Sequence, residues 1–344
     1  MQERLPKLLL FALAVCTFET VRGAAHPQEQ TRASADPLKP VDVTEYRIPT
    51  PNSGAGGGMA LGPDGNLWFT EGNASKVASF TPGGTITEYA TPTANSGPSG
   101  MSFDEGGNLW FAEQRVNQMG MRAPDGKFKE WALSPAPGAP TREPVSPRRA
   151  SDGNVWYTAR APSTGRDIIG RLNPTTSAVT EFPIPTLRAD PRSIRNGPDG
   201  NLYFSEGNGN KIARITLDGV ITEFSIPTAN SGPRQLEFDR NGDLWFAEAT
   251  GNKIGRMTLT GTFTEYPLPT ANSSPIGMTA DIDGNHVWFT EPNTNRVARI
   301  DRRGQILEIE VPTLNSLPQA LRAGSDGKIY FVERNANKIG RVNR

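Results

Sequence analysis

One repeated phrase governs what this chain can become. Asp-Gly-Asn-Leu-Trp-Phe-Thr-Glu at 64–71 returns with variations, and its aromatic anchor falls at Trp68, Trp110, Trp156, Tyr203, Trp245, Trp288 and Tyr330. The intervals are 42, 46, 47, 42, 43 and 42 residues, so the repeat has seven copies. A second marker, Thr-Glu-Tyr or a variant, recurs at Glu45, Glu88, Glu130, Glu181, Glu223, Glu265 and Glu308. Fixed periods in the forties made of short strands are the pattern of propeller blades, each of which buries its faces only against its neighbours. One copy predicts four strands, at Ser99–Phe103, Asn108–Glu113, Gln118–Arg122 and Phe128–Leu133, with turns at Glu105-Gly106-Gly107 and Pro124-Asp125-Gly126. The fold class expected is all-β: a seven-bladed propeller of four-stranded antiparallel blades, with the Trp-Phe pairs packed between blades.

The two ends fit a closed ring. Val43–Ile48 carries the fourth-strand marker before any first strand exists, and Lys338–Val342 reads as a third strand with no fourth behind it. The N-terminal strand is therefore expected to join the last blade, which removes an exposed sheet edge. Residues 41–344 read as one domain.

Upstream of it, Arg4 and Lys7 precede the apolar run Leu8–Val15, and Val21-Arg22-Gly23 offers a small-residue cleavage site. That is the pattern of a signal peptide over 1–23, followed by a flexible lead-in over 24–40, and it predicts a periplasmic or extracellular protein. A lipid anchor at Cys16 is the alternative; otherwise cleavage removes the one cysteine and with it any disulfide. The apolar run is far shorter than a membrane span. Lys and Arg number 36 and Asp and Glu 36, a balance that argues against a nucleic-acid surface. A monomer is expected, with a small molecule or a protein as partner on one face.

That face, called the top, holds the start of each first strand and the end of each second strand. The second strands end in Glu71, Glu113, Glu206, Glu248, Glu291 and Glu333, with Ala159 in the third copy. Repeated residues serve the repeat first, so these read as a structural device, or alternatively as a cation site. The entries to the first strands differ from copy to copy: Gly57, Ser99, Val145, Arg192, Arg234, Ile276 and Gln319. Three places on stand Ala60, Ser102, Arg148, Arg195, Glu237, Thr279 and Arg322. Arg148, Arg192, Arg195, Arg234 and Arg322 depart from the small or apolar consensus and are candidates to clamp an anionic or carbonyl-rich ligand. Alternatively they neutralise the glutamates. The third-strand arginines, Arg171, Arg214, Arg256, Arg299 and Arg341, read as a cross-strand charge ladder with the fourth-strand glutamates. Blade three alone carries two extra stretches, Pro135–Pro140 and Ala161–Asp167, expected to rise beside the top opening as a selectivity lip.

The phrases Gly-Pro-Asp-Gly-Asn-Leu, Asn-Lys-Ile-Gly-Arg and Ile-Thr-Glu-Tyr resemble the streptogramin B lyase family, and the likeness runs from about residue 41 to the end. The resemblance implies a top-face site where magnesium polarises a substrate carbonyl and a histidine removes the α-proton, opening a cyclic depsipeptide at its ester. It also implies Glu-Pro-His at the entry of the last blade, where this chain reads Leu317-Pro318-Gln319, and a substrate-binding histidine where it reads Ile276. Glu333, with Glu291, is the nearest match to a metal ligand. His286 falls at the bottom end of a second strand and His26 in the lead-in, so neither replaces the base. Two functions follow as expectations: a top-face binding protein without chemistry, or a lyase or hydrolase using another set such as Glu291, Glu333 and nearby arginines.

Overall fold

The computed structural model describes residues 42–133 and 141–343. The expected signal peptide, the lead-in, Cys16, His26 and the Pro135–Pro140 stretch lie outside the described residues. Seven antiparallel four-stranded sheets follow one another around a ring. Blade one is Ala55–Leu61, Leu67–Glu71, Lys76–Phe80 and Ile86–Ala90, and blades two to six repeat this order. Blade seven joins Pro318–Ala323, Ile329–Glu333 and Lys338–Asn343 to the N-terminal strand Asp42–Arg47, with Val43 opposite Val342. Among the described residues no helix is long and apolar enough to cross a membrane.

Alternation along the second strand explains the Trp-Phe pair, because adjacent residues point to opposite faces. Trp68 packs toward blade two with Met101, Leu109 and Phe111, whereas Phe69 packs toward blade seven with Tyr330 and Val332. The same handover joins Trp110 to Tyr157 and Tyr203 to Phe246. Tyr330 against Phe69 therefore closes the ring with the interface used everywhere else. An aspartate in the turn before the second strand serves this packing too: Asp104, Asp152 and Asp239 accept the indole N–H of Trp110, Trp156 and Trp245 at 2.8, 3.0 and 2.9 Å. In blade six His286 stands where blades two and three carry Asn108 and Asn154, its Nδ1 3.0 Å from Asp281.

The fourth-strand glutamate latches neighbouring blades. Glu88 accepts the Thr50 N–H at 2.9 Å and its hydroxyl at 2.6 Å, and pairs with Lys76 at 2.7 Å. Glu45 repeats this with Thr313 and Lys338 across the closure. In blade three Arg142 replaces the threonine and lysine, pairing with both oxygens of Glu181 at 3.0 and 2.7 Å.

The expected charge ladder is corrected by the register. Gly170 and Gly255, not the arginines beside them, stand opposite Glu181 and Glu265. The arginines lie over the aromatic layer instead: Arg171 is 5.4 Å from the Trp156 ring centre, Arg256 5.5 Å from Trp245 and Arg299 5.8 Å from Trp288. The glycine has its own cause. A Cβ at Gly255 would lie 2.1 Å from the Phe246 ring, so the phenylalanine occupies the space a side chain would need.

Candidate functional site: the top cavity and the channel below it

Proline opens the first strand of blades two to five and seven. It supplies no N–H to the ladder, and in blades two, three, four, five and seven the register slips just after it, between Pro98 and Met101, Pro144 and Ser146, Pro191 and Ile194, Pro233 and Leu236, and Pro318 and Leu321. Such bulges bend a strand and re-aim its side chains. The re-aimed residues meet at the top, where Gly57, Val145, Arg192, Arg234, Ile276 and Gln319 line one cavity of about 340 Å³. Six of the seven entry positions thus come together. Ser99 does not, because its hydroxyl turns to the Val145 carbonyl at 3.2 Å.

The five candidate arginines fall on two levels rather than in one clamp. Arg192 and Arg234 belong to the upper cavity, Arg148 and Arg195 line both it and a lower chamber of about 260 Å³, and Arg322 lines the lower chamber with Ser102 and Asn196. None of them pairs with the second-strand glutamates. Asp190 instead gathers the upper group: it accepts from Arg192 at 2.7 Å, lies 3.9 Å from Arg234, and is 4.0 Å from Arg160. Burial and the neighbouring Arg192 hold the Arg234 guanidinium below its ordinary range, with Asp190 opposing that shift.

The second-strand glutamates are not a ring around the opening. All six are fully buried, and both oxygens of each lack a hydrogen-bond partner within standard geometry. Burial, reinforced by the ionised fourth-strand Glu88, pushes the Glu71 carboxyl up to about 8; the same causes take Glu206, Glu248 and Glu291 to about 8 and Glu333 to about 7. Burial takes Glu113 to about 7 as well. Each blade except the third therefore carries a buried glutamate whose carboxyl is raised above its ordinary range.

A magnesium ion does not fit the residues present. Glu333 and Glu291 lie sealed beneath the surface and do not line the cavity, and among the described residues no group of three or more His, Cys, Asp and Glu is placed to hold a metal. Neither carboxylate of the alternative set, Glu291 or Glu333, is among the residues that line the cavity. Gln319 and Ile276 do line the cavity at the places where the resemblance expects histidines. Leu317, at the expected glutamate, sits at a left-handed φ of 54°. Of the lip, Ala161–Asp167 is described: Asp167 accepts the Ala161 N–H at 2.8 Å and the Asp190 N–H at 2.9 Å, which ties this loop to the entry of blade four. With Glu143, Arg160 and Arg188 it borders a shallow recess of about 160 Å³ beside the main cavity.

Sequence reasoning missed Asp190, Gln235 and Ser193. Asp190 had a signal, since it stands at a left-handed φ of 53° where blades one, two and five place Gly54, Gly97 and Gly232. An aspartate kept at a glycine position is a departure that a function would explain. Gln235 bridges to the Met278 N–H at 3.2 Å across two blades, a contact no local pattern announces.

The sequence matches the Virginiamycin B lyase family over residues 41–239 and 231–344. A solved streptogramin B lyase is 32% identical, with a TM-score of 0.80 over 88% of this chain and 97% of that one. Virginiamycin B lyase from Staphylococcus aureus is 31% identical with a TM-score of 0.79, over 88% of this chain and 99% of that one. A catalytically inactive histidine-to-alanine variant of the Staphylococcus aureus enzyme, solved with quinupristin, is 31% identical with a TM-score of 0.78, over 88% and 100%. No curated protein matches. Motifs, blade count and closure agree with these comparisons, and the chain belongs to the virginiamycin B lyase family.

Proposed function

We propose that this protein binds a small molecule with an anionic group and an apolar body in its top cavity, without the elimination chemistry of its lyase relatives. One observation carries the reading: the cavity is lined by Arg148, Arg192, Arg195 and Arg234, with Gln235 and Gln319, and among its lining residues there is neither imidazole nor carboxylate. Proton abstraction beside a carbonyl needs a base within hydrogen-bond reach. Guanidinium and amide groups do not act as bases at neutral pH. They do recognise carboxylate, sulfonate or phosphate, while Met59, Met101, Val145 and Ile276 supply an apolar wall.

The test uses 8-anilinonaphthalene-1-sulfonate as an amphipathic anionic probe on the folded protein. Saturable binding that the double variant Arg192→Gln/Arg234→Gln weakens at least tenfold is expected. Binding unaffected by that variant overturns the site. In parallel, a streptogramin B with magnesium is followed by chromatography for its unsaturated, ring-opened product. No turnover is expected, and turnover by the unmodified protein refutes the binding-only reading. The leader at 1–23 supports export as part of this function, so the secreted protein is expected to begin at Ala24, which N-terminal sequencing checks.

A further inference from the structure

We propose that the waist of the propeller, between Arg148, Arg195 and Arg322, is a site for a small doubly charged oxyanion of the sulfate or hydrogen-phosphate type. The site lies below the ligand cavity and does not depend on the reading given for it.

The argument starts from one repeat position. On the seven first strands it reads Ala60, Ser102, Arg148, Arg195, Glu237, Thr279 and Arg322. Three guanidinium groups therefore share this level with a single carboxylate. Glu237 accepts from Arg322 Nη1 at 2.9 Å, reaching from blade five to blade seven past blade six, and lies 3.5 Å from Arg195 Nε. Arg148 has no carboxylate partner among the described residues. Its Nη1 donates to the carbonyls of Met101 at 3.1 Å and Pro147 at 3.0 Å, which holds the guanidinium in place without neutralising it.

Two positive charges are left over in a half-open channel, where Arg148 and Arg322 are partly exposed and Arg195 is buried. Arg195 is 93% buried by its 7% exposure. Burying cations without counter-charge is expensive, and the groups respond to it. Burial, with Arg195 and Arg322 adding repulsion, pushes the Arg148 guanidinium well below its ordinary range. Arg195 is pushed down to about 10, with burial again the main cause. An anion of charge −2 removes the imbalance. The chamber of about 260 Å³ that Arg148, Arg195 and Arg322 line also carries the amide of Asn196, which donates one N–H to the Arg149 carbonyl at 2.8 Å and keeps a second, whereas the Ser102 hydroxyl is spent on the Pro147 carbonyl at 3.0 Å. Several guanidinium donors converging from different blades suit an oxyanion with acceptors on several sides better than a halide. The anion is either free or the terminal group of a ligand whose body fills the upper cavity, since Arg148 and Arg195 line both spaces.

Calorimetric titration of the purified protein with sodium sulfate and sodium phosphate, at ionic strength held constant with sodium chloride, tests the site. One saturable site per chain is expected, and Arg322→Gln should weaken it at least tenfold. Glu237→Gln removes the competing carboxylate and should tighten it severalfold, which keeps the test decisive if Arg322→Gln fails to fold. Arg234→Gln, altered only in the upper cavity, should change inorganic sulfate binding less than twofold. Phenyl phosphate, a dianion with an apolar body, separates the two sources: affinity that falls with Arg234→Gln marks a terminal group on a larger ligand, and affinity that does not marks a free anion. Absence of saturable sulfate or phosphate binding, an equal response to chloride, or loss of binding in Glu237→Gln overturns the proposal.

Discussion

Replacing Glu248 with glutamine should make this protein less sensitive to alkali. Glu248 is fully buried, its carboxyl is pushed from 4.5 to about 8 by burial and then by Glu265, and the adjacent Glu265 is held ionised by Thr228 and Lys253. The folded chain keeps the Glu248 proton up to about pH 8, whereas the unfolded chain releases it near 4.5. Folding therefore takes up a proton across that window. The stabilisation is complete below the unfolded value and is lost as pH rises through the folded one. One such group changes stability by about 1.4 kcal/mol per pH unit inside the window. Between pH 6 and pH 8 the wild type should lose up to about 2.7 kcal/mol through Glu248 that Glu248→Gln does not lose. Glutamine keeps the shape and does not ionise, so little else changes. Equilibrium urea unfolding of both proteins at pH 6 and pH 8 reads the difference. Parallel pH dependence of the two proteins would refute the reasoning, because it would mean that Glu248 is ionised in the folded state.

Other substitutions test the packing and the closure. Gly255→Val drives a side chain into the Phe246 ring, from which even a Cβ would be only 2.1 Å away, and should cost at least the ~1–3 kcal/mol of an overpacked core, measured as a lower urea midpoint. Glu45→Ala removes the acceptor of the Thr313 N–H, the Thr313 hydroxyl and Lys338 at the ring closure. A loss of about 1.5–3 kcal/mol is expected from the charged hydrogen bonds, and an unchanged unfolding midpoint would remove the latch from the account.

The propeller was legible because its signals are local and repeated. A tryptophan or tyrosine every 42 to 47 residues, a turn before it and a glutamate after it state strand, turn and latch in each copy. Val43–Ile48 announced the closure in the same way, as a fourth strand in search of a blade. The site was legible only as a set of departures from the repeat. Arg192 and Arg234 stood out from the repeat, Ile276 and Gln319 from the family pattern, and the structure gathers them round one cavity. Their division from Arg148, Arg195 and Arg322 was not legible, because height along a channel depends on bulges and not on residue type.

The chain of residues by itself determined the number of blades, the strand order within each and the side on which the variable entries stand, since all of these follow from periodicity within about fifty residues. The tertiary structure alone decided the charge state and company of the ionisable groups. Six glutamates that read as a possible cation site are sealed inside the blades, where burial raises their carboxyls above the ordinary range. Glu237 and Arg322, 85 residues apart, meet across the channel. Electrostatics depends on what lies within a few ångströms in space and on how much water remains there, and neither quantity is written in sequence order.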